Sequence, residues 1–288
     1  MSEATTTVQT AGYLRAPNLT VTGANGVEYC YRQLGPDTRP VIFFQHFRGN
    51  LDNWDPALVD EFAANRRVVT FDNVGVGGST GQTPNSVRQM AADALIFMTA
   101  LGLGHVDLMG FSIGSFVAQE IALQRPDVVA RIVLASAAPQ GASGMHGWAP
   151  AVMKSVGQPQ PDPRGYLSVF FAGSEASQEA GRQTLGRINA RTEDRDAQTS
   201  WQTRLAQYDA VCDWGIPNAS MLERVGAIAT PTLITNGDSD PMILPRYSHL
   251  LGGLIPDSKV KIYPDAAHGF LFQHHEEFAA DCLEFLRV

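Results

Sequence analysis

Hydrophobic positions along the chain follow two alternating rhythms. Short, nearly continuous apolar runs occur at "PVIFFQH" (40–46), "RRVVTFD" (66–72), "HVDLMGF" (105–111), "VARIVLASAA" (129–138), "TPTLITNG" (230–237) and "SKVKIYP" (258–264). They are too brief for helices and rich in β-branched residues, which predicts buried strands. "LTVTGANGVEYCYRQLG" (19–35) predicts two more strands joined at Asn25-Gly26, a dipeptide suited to positive φ in a tight hairpin. Between the runs, apolar residues recur at helical spacing in "SVRQMAADALIFMTALGL" (86–103), "FVAQEIALQRP" (116–126) and "HEEFAADCLEFLRV" (275–288). Strands alternating with helices predict an α/β fold, with a mostly parallel eight-stranded sheet covered by helices on both faces.

One region breaks the rhythm. Residues 140–224 contain no strand pattern, and helical stretches recur instead: "GWAPAVMKSVG", "GYLSVFFAG", "SQEAGRQTLGRINAR" and "TSWQTRLAQYDAVCDWG". Aromatic residues are interspersed: Trp148, Tyr166, Phe170, Phe171, Trp201, Tyr208 and Trp214. An insertion after the sixth strand stands above the carboxyl edge of the sheet, where open α/β sheets bind ligands. Residues 1–139 and 225–288 are therefore expected to form the core, and 140–224 a helical cap.

Composition narrows the function classes. The 288 residues are 44% hydrophobic and 17% charged, as in ordinary globular proteins. A net charge of −8 leaves no electrostatic footprint for nucleic acid. Cys30, Cys212 and Cys282 are far apart and lack metal-ligand spacing, which is expected of reduced thiols in a cytoplasm. The opening "MSEATTTVQTAGYLRAPNLT" has no basic start followed by an apolar core, and no run reaches the roughly 18 residues of a membrane span. A cytoplasmic protein with a small-molecule substrate is expected, with no cofactor, metal, membrane or nucleic-acid partner. The oligomeric state is left open, a homodimer included.

Candidate chemistry centres on "GFSIG", where Ser112 lies between Gly110 and Gly114, directly after one predicted strand and before a helix. In that setting G-x-S-x-G marks a sharp turn that projects the hydroxyl above the sheet and sets it at a helix N-terminus. Serine needs a base. His46, His105, His146, His249, His268, His274 and His275 are available. His105 begins the serine's own strand at its far end, His146 and His249 fall on expected helices, and His274 and His275 open the last helix. His268, in "IYPDAAHGF", follows the last strand at the carboxyl edge, where a base for Ser112 belongs. The orienting acid comes from "TNGDSDP", which offers Asp238 and Asp240. Asp240 is favoured because the longer loop can turn back toward the histidine.

The order Ser112, Asp240, His268, with the strand-turn-helix elbow and the helical insertion, resembles the α/β-hydrolase superfamily from about Leu19 onward. Within it the chain is most similar to bacterial single-domain esterases and to the cofactor-free haloperoxidase or perhydrolase group. The resemblance implies that "VIFFQHFRGNLDNW" carries the oxyanion hole, with backbone N–H groups of Phe47 and Ile113 as donors and Trp54 closing it. It also implies that "FDNVGVGGST", similar to the family's D-x-x-G-x-G-x-S loop, is structural. The family's His-Gly is here Gln45-His46, which makes His46 and Trp54 candidate pocket-lining residues.

A serine nucleophile attacks an acyl carbonyl through a tetrahedral oxyanion and an acyl-enzyme. The expected activity is hydrolysis of a small, largely apolar ester or lactone. Perhydrolysis, acyl transfer and carbon–carbon bond hydrolysis use the same groups. A non-catalytic small-molecule-binding protein is the alternative from another class.

Overall fold

The protein is described by a computed structural model that covers residues 12–287 other than Pro161. Most of the N-terminal stretch read above for targeting signals lies outside these residues. An eight-stranded sheet is built from β1 (Leu19–Thr22), β2 (Glu28–Leu34), β3 (Val41–Phe44), β4 (Val68–Phe71), β5 (Val106–Phe111), β6 (Val129–Ala135), β7 (Thr232–Gly237) and β8 (Ser258–Tyr263). Their spatial order is β1-β2-β4-β3-β5-β6-β7-β8. β1 pairs antiparallel with β2, and β2 antiparallel with β4, while every later neighbour is parallel. Gly26, at φ 77, lies in the β1–β2 turn.

β3, β4 and β5 are buried at every position, as expected of strands covered on both faces. The covering helices include α1 (Pro56–Ala63), α2 (Val87–Ala100) and α3 (Ile113–Gln124). Asp55 caps α1, with Pro56 at its first position, and Ser86 caps α2 through the Gln89 N–H. α2 packs against α3, and α1 against the last helix. Phe71 of β4 stacks on Phe97 of α2 at 4.4 Å, while Phe43 meets Phe62 of α1 edge-on at 5.1 Å.

β6 ends three residues before its apolar run does, because Ser136 adopts φ 48 and takes the chain off the strand. Among the described residues the stretch from β6 to β7 contains helices only. They are α4 (Pro150–Val156), α5 (Pro163–Phe170), α6 (Glu175–Ile188), α7 (Trp201–Trp214) and α8 (Ala219–Arg224). Side chains of Asp162, Ser174, Ser200 and Asn218 cap α5 to α8. α8 is too short for its period to be read, and His146 lies in the loop before α4 rather than on a helix. α9 (Pro245–Leu254), α10 (Phe270–Gln273) and α11 (His275–Phe285) complete the fold.

The inserted helices are tied down by buried charge. Arg187 of α6 forks onto Asp55 at 2.8 and 2.6 Å, and Arg224 of α8 onto Glu120 at 2.6 and 3.0 Å. The Asp196 N–H donates to Asp52, which also pairs with the buried Arg32 at 2.7 Å. Trp214 stacks on Phe116 and donates its indole N–H to the Ala138 carbonyl. Cys30, Cys212 and Cys282 are free thiols. No helix among the described residues is long and apolar enough to cross a membrane.

Candidate active site

Ser112 sits between β5 and α3 with φ 58 and ψ −124, a backbone state that L-residues rarely adopt. Its N–H donates to the Ala135 carbonyl on neighbouring β6 at 2.9 Å, which holds the turn against the sheet. The flanking glycines are required by space. A Cβ at Gly110 would lie 2.5 Å from the Gly114 carbonyl oxygen and 2.6 Å from Ser115 Cα. A Cβ at Gly114 would collide with the Phe44 carbonyl oxygen. The second clash also locates the loop after β3: it lies directly on the first turn of α3.

His268 and Asp240 meet, both almost wholly buried. His268 Nδ1 is 2.8 Å from Asp240 Oδ2, while Asp240 Oδ1 accepts the N–H groups of Met242 and Ile243 at 2.8 and 3.0 Å. A carboxylate only accepts, so Nδ1 carries the hydrogen and Nε2 presents a lone pair. His268 Nε2 has no hydrogen-bond partner among the described residues, so it is not bonded to Ser112 here. Such contacts often tighten only when substrate is bound.

Asp238 does something else. It is exposed, and its carboxylate accepts the N–H groups of Asp265 and Ala266 at 3.0 and 3.3 Å, anchoring the His268 loop. Partial burial raises its pKa, but the Ser239 hydroxyl and those two amides outweigh this and hold it below the usual carboxylate value. A further brace joins the strand ends and leaves little mark in the local sequence pattern. Ser136 Oγ donates to Asn236 Oδ1 at 2.9 Å, and Asn236 Nδ2 donates to the Ile243 carbonyl at 2.8 Å. The end of β6 is thus linked to the turn that presents Asp240. Its signal was two polar residues, Ser136 and Asn236, buried at apolar strand ends. The inserted helices hold the His268 loop as well, since His268 and Gly269 donate backbone N–H groups to Val169 and Phe170 at the end of α5.

The loop after β3 is stiffened by Gln45, whose amide donates to the Asn50 carbonyl and accepts the His46 N–H. Asp72 braces it from below by accepting the N–H groups of Leu51 and Gly78, both at 2.9 Å. The Phe47 N–H donates to no described residue. Ile113 opens α3, so its N–H lacks an intrahelical acceptor. His46 is 8% exposed, and Nδ1 lies 2.8 Å from the Phe47 carbonyl. Burial pushes its pKa down to about 3, the neighbouring His268 adding to the effect of burial against the opposing pull of the Phe47 carbonyl.

A cavity of about 340 Å³ opens between this loop and the inserted helices. Phe47, Tyr166, Phe170, Ile188 and Met242 give it apolar surface, with His46 and His268 on the same wall. Ser112, 2% exposed, is not among the lining residues. Two expectations change here. Trp54 is core rather than wall: it is 1% exposed and packs edge-on against Phe43 and Phe272. The cavity is also more polar than the aromatic content of the insertion suggested. Of those aromatics only Tyr166 and Phe170 reach it, whereas Arg48, Asp52, Asp162, Arg195 and Asp196 do. Trp214 and others are consumed by packing onto the core.

Among the described residues two groupings could bring three ligand atoms to one ion: Cys30, Asp72 and Asp196, and Glu61, His275 and Glu276. In the first, burial and the adjacent Asp72 push the Cys30 thiol up to about 12, so it stays protonated at neutral pH and ligates poorly.

A family model described as "alpha/beta hydrolase fold" matches residues 39–275. An alpha/beta hydrolase fold protein from Chitinophaga pinensis superimposes with a TM-score of 0.90 at 38% identity, covering 96% of this chain and 98% of its own. The bifunctional esterase/perhydrolase DCH of Acinetobacter calcoaceticus is 26% identical over 287 residues, which is 93% of this chain and 99% of that protein. The non-heme haloperoxidase of Rhodococcus erythropolis is 25% identical over 285 residues, 92% and 98% of the two chains. Elbow, sheet order and family match agree: the chain belongs to the alpha/beta hydrolase fold family.

Proposed function

We propose that the protein is a serine hydrolase that cleaves a small carboxylic ester or lactone through an acyl-enzyme. The observation that carries this reading is the 2.8 Å contact between His268 Nδ1 and Asp240, which leaves Nε2 unpaired on a ring that packs against Phe111, the residue before the elbow serine. Ser112 Oγ attacks the acyl carbon while its proton passes to His268 Nε2. Asp240 stabilises the imidazolium and is itself held in place by two backbone amides. The carbonyl oxygen becomes an oxyanion, received by the N–H groups of Phe47 and Ile113. Donors of this kind contribute about 3–4 kcal/mol each to the transition state. His268 then protonates the leaving alcohol, and water repeats the sequence in reverse.

A volume of about 340 Å³ favours short acyl or lactone substrates, with apolar contact along Tyr166 and Phe170 and charged groups elsewhere on the wall. Residues 140–224 act in this reading as a cap that sets substrate size. Attack by hydrogen peroxide on the acyl-enzyme, giving a peracid, is a second reading favoured by the similarity to an esterase/perhydrolase.

A fluorophosphonate probe tests the mechanism: peptide mapping is expected to place one adduct on the peptide containing Ser112. Ser112→Ala is expected to lower ester hydrolysis by about 10³-fold or more. Unchanged turnover in that variant refutes the mechanism. A panel of short and long esters, lactones and thioesters, with and without peroxide, separates the two readings.

A further inference from the structure

One polar group of the site has no part in the chemistry above. The His46 Nδ1 faces the Phe47 carbonyl oxygen, an atom that can only accept, so Nδ1 carries the hydrogen and Nε2 is a bare lone pair. Nε2 is buried and has no hydrogen-bond partner among the described residues. A buried acceptor left unpaired carries a desolvation penalty until something donates to it. The group also stays neutral at any ordinary pH.

Its position is specific. His46 and His268 share the same two aromatic neighbours, with ring centroids 5.3 and 5.0 Å from Phe111 and 5.3 and 5.1 Å from Phe170. Both line the cavity, and Phe47, the next residue after His46, lines it too. The acceptor therefore stands beside the base and beside the loop residue whose N–H receives the oxyanion. We propose that His46 Nε2 is a specificity-determining acceptor for a hydroxyl or amide N–H that the substrate carries within a few atoms of its scissile carbonyl. The protein thereby selects hydroxylated or amide-bearing esters over their plain counterparts. This rests on the serine-hydrolase reading above. A site built to bond a substrate hydroxyl discriminates strongly against the analogue lacking it, because the protein group is then left unpaired.

The test uses two matched pairs: ethyl 2-hydroxybutanoate with ethyl butanoate, and 2-hydroxyethyl butanoate with propyl butanoate. The expected kcat/KM ratio within at least one pair is about 100 or more for the unaltered protein. In His46→Phe, which keeps a ring and loses the acceptor, the ratio is expected to fall to about one. His46→Gln, whose amide oxygen accepts, is expected to restore part of it. Far-UV circular dichroism and a melting temperature near that of the unaltered protein certify the fold of each variant. A ratio near one in the unaltered protein overturns the proposal. So does a parallel fall on both members of each pair, which assigns His46 to the deacylating water or to packing.

A readout independent of turnover is the imidazole ¹⁵N spectrum of the Ser112→Ala protein. The His46 Nε2 resonance is expected to shift on adding 2-hydroxybutanoate and to stay put with butanoate, and equal responses overturn the proposal. Absence of both labelling and turnover refutes the hydrolase reading separately.

Discussion

His46 also makes a stability prediction whose size follows from its surroundings. Its ordinary pKa of 6.5 falls to about 3 in the folded protein because burial removes the charged form from water. Below pH 6.5 the unfolded chain therefore binds a proton at this residue that the folded chain refuses, and stability falls with pH until the folded value is reached. At pH 5 the unfolded form gains about 2 kcal/mol from that proton, against about 0.2 kcal/mol at pH 7, while the folded form gains almost nothing. His46→Gln deletes this linkage. The substitution has a pH-independent packing cost, so the informative quantity is the change in its ΔΔG between two pH values. Urea unfolding of both proteins at pH 7 and pH 5 is expected to show the variant gaining about 2 kcal/mol relative to the parent on acidification. A ΔΔG that stays constant to within about 0.5 kcal/mol means that His46 protonates freely in the folded state. That result also removes the fixed lone pair on which its proposed selectivity depends.

Asp240→Asn is expected to cut ester turnover by roughly 10³ to 10⁴-fold, measured as kcat, through loss of imidazolium stabilisation and the wrong tautomer. Asp238→Asn is expected to keep turnover within about tenfold while lowering Tm, because it anchors the Asp265 and Ala266 amides; reversed effects refute the assignment of the acid. Burial, and then their carboxylate neighbours, raise the pKa values of Asp72 and Asp196, so the stability they contribute in acid is lost as pH rises through those values. Asp196→Asn, which mimics the protonated form, is expected to raise Tm at pH 9 more than at pH 5, and an equal change at both values contradicts the raised pKa of Asp196.

The parallel strands were legible because burial on both faces leaves continuous apolar runs, a signal each segment carries by itself. Ser112 was legible for a related reason: an elbow this tight excludes side chains at residues 110 and 114, and the spacing of the glycines records that exclusion. The choice between Asp238 and Asp240 could be posed from loop length alone, but what Asp238 does required the fold, since its partners lie across the β7–β8 junction. Side-chain direction was the least legible property. Trp54 read as a pocket residue, and Phe171 and Trp214 as aromatics of the inserted segment, yet each is buried against the core, because sequence pattern says which residues share a face and not what that face meets. The Ser136–Asn236 brace was hidden likewise, its two halves being 100 residues apart.

Arg48 follows Phe47 at φ 63, with its N–H on Gln207, its carbonyl receiving the Thr199 hydroxyl, and its guanidinium donating to the Gln158 and Pro159 carbonyls. Every one of those partners belongs to the inserted helices or the loops between them. The residue that trails the proposed oxyanion donor thus also ties the loop after β3 to the inserted segment. Those bonds hold the Arg48 backbone in an uncommon conformation, and the amide of Phe47 is one peptide unit away. In the proposed reading, the loop that carries the oxyanion donor and the helices that wall the cavity are therefore one tied piece, and a substitution that shifts those helices reaches the Phe47 amide through Arg48.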